Sequence, residues 1–119
     1  MVKKNNAIYD KSFDFALRVI KLYKHLCKQK KEYTLAKQIL RSGTSIGANV
    51  SEAIEGQSKK DFVSKLSISL KEASETEYWI KLFRESNILS KQSCNSLLSD
   101  LYEIKKLLNA IINTTKSKL

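Results

Sequence analysis

The chain has 119 residues, with no proline, three glycines and a formal net charge of +10. This composition excludes a turn-rich β architecture and favours a single, nearly all-helical domain over residues 1–119. The longest apolar runs are three or four residues, too short for a helix that spans a bilayer. The basic N-terminus lacks the apolar segment of a signal peptide, so we expect a cytoplasmic protein.

The positive charge is concentrated in the first third of the chain. Residues 1–41 contain eleven Lys or Arg and three Asp or Glu, a net charge of +8, whereas residues 42–119 contain eleven and nine, a net charge of +2. Such asymmetry indicates an anionic partner, with nucleic acid the first candidate. The alternative, that the lysines only keep the surface solvated, stays open at this point.

Apolar residues recur at helical spacing in four segments of the chain. The pattern predicts helices at about 10–29, 34–55, 59–86 and 91–114. Helices of this length joined by short loops form an up-down-up-down antiparallel four-helix bundle. The expected fold class is therefore all-α.

Side chains suited to helix ends mark several of these boundaries. Asp10 or Ser12 can cap the first helix, Ser58 the third and Ser90 the fourth. Gly56 is a natural residue to end the second helix.

The first helix has two apolar stripes, and between them lies a basic strip. One stripe contains Phe13, Ala16, Leu17, Ile20 and Cys27, and the other contains Phe15, Val19, Leu22 and Leu26. Since a bundle core needs only one of them, two stripes indicate either deep burial of the helix or a second partner. We assign Phe15, Val19 and Leu22 to a contact between subunits. The residues predicted to contact phosphates are Lys3, Lys4, Arg18, Lys21, His25, Lys28, Lys30 and Lys31.

Two glycines interrupt the second helix four residues apart. Gly43 and Gly47 predict a close approach of another helix and not a phosphate-binding loop, because no Gly-Lys-Ser/Thr ending is present. Each glycine weakens the isolated helix, so a packing reason is expected for both.

The third helix also has a second face, which mixes apolar and acidic residues. It carries Ile68, Glu72, Glu75, Trp79 and Leu82. We expect Glu72 and Glu75 to pair with Arg41 or Lys71 and not to catalyse a reaction, since no metal-binding or histidine cluster accompanies them. Trp79 and its apolar neighbours are assigned to the subunit contact, where large aromatic residues concentrate.

No pattern of catalytic or metal-ligating residues is found. The single histidine, His25, excludes the paired Glu-x-x-His sites of di-iron bundles, and two cysteines cannot form a zinc cluster. We therefore predict no enzymatic activity, no metal and no cofactor.

Two runs of sequence resemble a known bacterial family. They are LRSGTSIGANVSEA at residues 40–53, and DFVSKL at 61–66 followed by KEASETEYW at 71–79. The chain is similar there to four-helix-bundle proteins encoded in intervening sequences of 23S ribosomal RNA genes, and it resembles the accessory variability determinants of diversity-generating retroelements. The resemblance implies homopentameric rings with a basic surface. The residues that match the family's polar positions, and that we expect to hold the fold or the subunit contact, are Arg41, Ser45, Asn49, Glu52, Glu72 and Glu75.

These observations predict a non-enzymatic, homo-oligomeric nucleic-acid-binding protein that contacts structured RNA, in preference to DNA, through phosphates. Base stacking of the single-strand kind is not expected, because aromatic residues do not interleave with these lysines. The alternative is a protein–protein scaffold or adaptor without a nucleic-acid role. No membrane association is predicted.

Overall fold

A computed structural model describes residues 6–119 of the chain as four α-helices, with no strand among these residues. The bundle measures 46 × 23 × 20 Å along its principal axes. The four helices are α1 Ala7–Lys28, α2 Thr34–Ile54, α3 Lys59–Glu85 and α4 Lys91–Lys116. Within the described range, no helix has the length and apolarity that crossing a bilayer requires.

Each helix lies antiparallel to its neighbours, as paired residues on α2 and α3 illustrate. Ser69 donates a hydrogen bond to the carbonyl of Ile46, and Thr76, further along α3, donates to Ser42, which is earlier on α2. The helices also pack in the order of the chain, and α1 closes against α4. The basic loop after α1 therefore lies at the end of the bundle opposite the start of α3.

The start of α1 differs from the predicted one. The Asn6 side chain accepts a hydrogen bond from the Tyr9 amide at 3.2 Å, so the cap is Asn6 and neither Asp10 nor Ser12. Ser12 lies inside the helix, buried, where its hydroxyl donates to the Tyr9 carbonyl. Burial of Ile8 accounts for the additional turn, because the helix must reach it to cover the core.

The caps predicted for α3 and α4 are confirmed. The Ser58 hydroxyl accepts from the Asp61 amide at 3.0 Å, and the Ser90 hydroxyl accepts from the Ser93 amide at 3.0 Å. Gly56, in contrast, does not take a left-handed conformation after α2. A Cβ at this position would lie 2.6 Å from Asp61 Oδ2 and 3.0 Å from the Ala53 carbonyl oxygen.

The stripe of α1 that faces the core is the one assigned above to the subunit contact. Phe15 is 1% exposed and Val19 is 0% exposed, so the prediction that they lie between subunits is wrong. Leu22 is half-buried and packs against the same core. The opposite stripe is left outside, with Phe13 53% exposed and Leu17 48% exposed.

The predicted close approach at the two glycines of α2 is confirmed and accounts for this choice. A Cβ at Gly43 would lie 2.7 Å from Val19 Cγ2, and a Cβ at Gly47 would lie 3.2 Å from the Ser12 carbonyl oxygen. Both glycines thus allow α1 to pack closely against α2, and the face of α1 that carries Val19 makes this contact.

Candidate nucleic-acid interface

Exposed lysines gather where α1 ends and α2 begins. We call this set of basic residues the basic corner; its members are Lys21, Lys24, His25, Lys28, Lys30, Lys31 and Lys37. Within residues 6–119, no acidic group lies at ion-pair distance from any of these side chains. Across residues 21–37 of the sequence, the six lysines are accompanied by one acidic residue, Glu32. The corner is thus a strongly positive part of the surface.

Sequence reasoning left two members of the basic corner unassigned. Lys24 is one helical turn from both Lys21 and Lys28, so the spacing already indicated it. Lys37 lies on α2, beyond the loop, and joins the corner only through the fold.

Arg18, predicted to contact phosphate, is instead held by α4. Its Nη1 lies 2.6 Å from Asp100 Oδ2, and its Nη2 donates to the Ser96 hydroxyl at 3.2 Å. We therefore leave Arg18 out of the interface. Lys3 and Lys4, predicted for the same role, lie outside the described residues.

The loop of the basic corner has a defined conformation. Lys31 is in the left-handed region, with φ of 55°. The Glu32 amide donates to the Leu26 carbonyl at 3.0 Å, and Glu32 Oε2 accepts from the Leu35 amide at 3.1 Å, which caps α2. Glu32 therefore makes a structural bond to α2, and no lysine among residues 6–119 lies at ion-pair distance from it.

One aromatic side chain lies within the basic corner, contrary to the expectation above. Tyr33, the residue before α2, is 52% exposed and sits between Lys31 and Lys37 in the chain. Its position was readable from the sequence, but its exposure depends on the bend of the loop.

A second polar group joins α2 and α3 on another side of the bundle. Arg41 Nη2 lies 2.7 Å from Glu75 Oε1 and 3.1 Å from Glu72 Oε1. Glu72 Oε1 is buried, and it forms this ion pair without a hydrogen bond of good geometry. Trp79 Nε1 donates to Glu75 Oε2 at 3.0 Å. The hydrogen bond from Arg41, and then that from Trp79, lower the pKa of Glu75. Of the two predicted partners, Arg41 and Lys71, it is Arg41 that pairs with both glutamates.

The remaining residues from the family motif make contacts within the subunit. Asn49 Nδ2 donates to the Ser45 carbonyl at 2.9 Å, and Glu52 pairs with Lys65 of α3 at 3.2 Å. These bonds stabilise α2 and its contact with α3.

The outer face of α3 is only partly free. Ile68 and Leu82 are exposed, whereas Trp79 is half-buried against the core. Trp79 therefore packs within the subunit, whereas its position predicted a face turned away from the core.

The described residues bring no three His, Cys, Asp or Glu side chains together at metal-binding distance. Glu72 and Glu75 are two neighbouring carboxylates, and both form ion pairs with the guanidinium of Arg41. The arrangement can bind anions at its basic corner; its carboxylates serve the fold.

Fold and site together define a small, basic, all-helical protein with an exposed lysine cluster at one corner. Residues 4–110 match the 23S rRNA-intervening sequence protein family, and the chain belongs to that family. A solved structure from the S23 ribosomal protein family of Bacteroides thetaiotaomicron VPI-5482, described as a protein with unknown function, is 50% identical, with a TM-score of 0.87. That match covers 88% of this chain and 97% of that one. No curated protein matches the chain.

Proposed function

We propose that this chain is a non-enzymatic, homo-oligomeric protein that binds structured RNA through the basic corner. The observation that carries the proposal is the set of exposed lysines without acidic partners in residues 6–119. Cytoplasmic location and a relationship to the accessory determinants of diversity-generating retroelements stay predictions.

The expected mode of binding is electrostatic. Lysines that contact phosphates release counterions, so affinity falls steeply with salt and depends little on sequence. The side chains of Lys21 and Lys28 project from the same side of α1, two turns apart. Seven helical residues span about 10 Å, so the two long side chains can contact separate phosphates of one strand.

Exposed apolar residues support assembly into an oligomer, for which a pentameric ring is the favoured form. Phe13, Leu17 and Ile20 form an exposed stripe on α1. An apolar stripe of this kind is typical of a subunit contact. Light scattering should give a mass several times 13.6 kDa, and Leu17→Glu should reduce it. A monomer at micromolar concentration would contradict the assembly.

RNA binding is tested with a charge-reversal pair and a matched control. Lys21→Glu with Lys28→Glu should weaken binding of a structured RNA by about tenfold or more and reduce the salt slope by about one per lysine. Lys59→Glu with Lys60→Glu reverses two exposed lysines at the opposite end of the bundle and should leave both quantities unchanged. Equal losses in the two pairs would rule out a defined interface.

A salt series from about 50 to 200 mM with RNA and DNA hairpins of one sequence completes the test. Tighter binding of the RNA hairpin is expected, since A-form geometry and 2′-hydroxyls are presented only there. Absence of binding at low salt, or a flat salt response, would refute the proposal.

The alternative is a protein–protein scaffold or adaptor that uses the basic corner to bind an acidic protein and the exposed stripe of Phe13, Leu17 and Ile20 for assembly. The charge-reversal pair separates the two functions. Retention of a protein partner with loss of RNA binding favours the RNA-binding function, whereas loss of the partner without an effect on RNA favours the scaffold.

A further inference from the structure

The loop between α1 and α2 presents an aromatic ring that the fold does not use. Tyr33 is 52% exposed, and within residues 6–119 its side chain has no hydrogen bond, no ring contact and no place in the core. A large aromatic surface left in water without a structural role is suited to a contact with a ligand.

The backbone that carries this ring is nevertheless well defined. The Tyr33 carbonyl accepts a hydrogen bond from the Lys37 amide at 3.1 Å, so Tyr33 is the N-cap residue directly before α2. On its other side, Glu32 is fixed by its bonds to Leu26 and Leu35. A ring held on an ordered backbone loses little conformational freedom on binding, which favours affinity.

Cationic side chains flank the ring on both sides in the chain. Lys37 follows Tyr33 by one helical turn and therefore projects from the same side of α2, and Lys30 and Lys31 precede it in the loop. A stacked nucleobase has phosphates on either side along its strand. An aromatic platform among lysines is the arrangement that binds unpaired nucleotides, because the ring stacks on the base while the lysines contact the backbone.

We propose that Tyr33 stacks on an unpaired base of the bound RNA while Lys30, Lys31 and Lys37 contact the flanking phosphates. The inference rests on the RNA-binding function proposed above and narrows its ligand to RNA with exposed bases, such as a hairpin loop or a bulge. Inside an A-form duplex the bases are stacked on one another and cannot reach the ring.

The experiment uses the full chain and an RNA hairpin with 2-aminopurine at one unpaired loop position. Stacking on tyrosine quenches the fluorescence of this base. Tyr33→Ala should abolish the quenching and weaken hairpin binding by about 5- to 150-fold, the range expected for one stacked base. The salt slope should stay unchanged, since no charge is lost. A fully paired duplex of equal length should bind the variant and the wild type equally.

Three further variants isolate the aromatic ring. Tyr33→Phe keeps the ring and should bind as the wild type, whereas Tyr33→Leu keeps apolar bulk without the ring and should bind as weakly as Tyr33→Ala. Tyr102→Ala removes a tyrosine of similar exposure, 46%, from α4 and should have no effect. Circular dichroism should show equal helicity for all variants.

The outcomes separate this inference from the function on which it rests. If Tyr33→Ala and Tyr33→Leu retain wild-type affinity and quenching while binding stays salt-dependent, the stacking site is refuted and RNA binding stands. If the wild type binds no RNA in a salt-dependent manner, the proposed function fails, and the ligand assigned to Tyr33 fails with it.

Discussion

The contact between Gly43 and Val19 allows a sharp test of the α1–α2 packing. A Cβ at Gly43 would lie 2.7 Å from Val19 Cγ2 and 2.9 Å from Cγ1. Val19 is fully buried and β-branched, so it has few alternative rotamers. Gly43→Ala should gain about 1 kcal/mol of helix propensity and lose about 1–3 kcal/mol to overpacking. We expect a net loss in the free energy of unfolding of about 1 kcal/mol.

A second substitution should relieve this clash. Val19→Ala alone removes two buried methyl groups, worth about 0.8 kcal/mol each, and leaves a cavity, for a total cost of about 2–3 kcal/mol. In the double variant the two closest methyl groups are gone, and the new Cβ at position 43 lies 3.3 Å from the Cβ of residue 19 and fills part of that cavity. The double variant should therefore be more stable than the sum of the single effects by about 2 kcal/mol, within the range for residues in contact.

The assay is urea unfolding of the four proteins followed by circular dichroism. Each is measured at several protein concentrations, because the apparent stability of an oligomer depends on concentration. Additivity of the two substitutions to within about 0.5 kcal/mol would refute the contact.

A control cycle pairs Gly43→Ala with Ile112→Val on α4. Glu103 of α4 pairs with Lys11 of α1, and Ile112 lies nine residues beyond Glu103, about 13 Å along the bundle. Val19, which contacts Gly43, lies about 12 Å from Lys11 in the other direction. Substitutions so far apart should be additive.

Three further stability predictions concern single side chains. Hydrogen bonds from Lys105 and then Lys81 lower the pKa of Glu77 from 4.5 to about 2. The stabilisation is therefore complete well above pH 4.5 and is lost as the pH falls through about 2. Glu77→Gln should cost about 2 kcal/mol at pH 7 and only a small fraction of that near pH 2 in urea unfolding; a pH-independent difference would contradict this. Asn87 has a φ of 63°, so Asn87→Ala should lower the free energy of unfolding by about 1 kcal/mol while Asn87→Gly should not; equal effects would argue against the left-handed turn. Ser58→Ala should remove about 1 kcal/mol by loss of the α3 cap, and Ser58→Asp should preserve it, as measured by thermal unfolding; no difference between the two would exclude a capping role.

Helix starts could be predicted from the sequence where a capping serine lies directly before a helical apolar pattern. Ser58 and Ser90 satisfy that condition, and both cap their helices. Before α1, three candidates occur within seven residues, namely Asn6, Asp10 and Ser12. The choice among them depends on whether Ile8 reaches the core, which is a tertiary contact that local sequence does not encode.

The inward face of α1 could not be predicted, because periodicity alone gives two stripes of similar apolarity. What selects the face is the shape of α2. Gly43 and Gly47 leave room for Val19 and for the backbone at Ser12, and this fixes the rotation of α1 and leaves Phe13 in solvent. Recognition of the glycines as packing positions was correct, but the partner residue follows only from three-dimensional complementarity.

The buried polar contacts between α2 and α3 also lay beyond sequence reasoning. Thr76 donates to Ser42 at 2.9 Å, and Ser69 donates to the Ile46 carbonyl at 2.8 Å, with all three side-chain hydroxyls buried. By composition, Ser and Thr predict surface positions. Here each hydroxyl has a partner, so burial costs little and the small side chains let the two helices approach closely.

The fold converts the charge asymmetry of the sequence into a spatial one. Several acidic side chains are used by ion pairs between helices, such as Asp100 with Arg18, Glu103 with Lys11 and Glu52 with Lys65. These pairs neutralise lysines and arginines along the bundle, while the basic corner keeps its positive charge. Screening at physiological salt limits the field of that charge to about 8 Å. If the basic corners of neighbouring subunits lie further apart than this distance, their electrostatic fields do not add. The subunits would then strengthen RNA binding by contacting several sites on one RNA molecule.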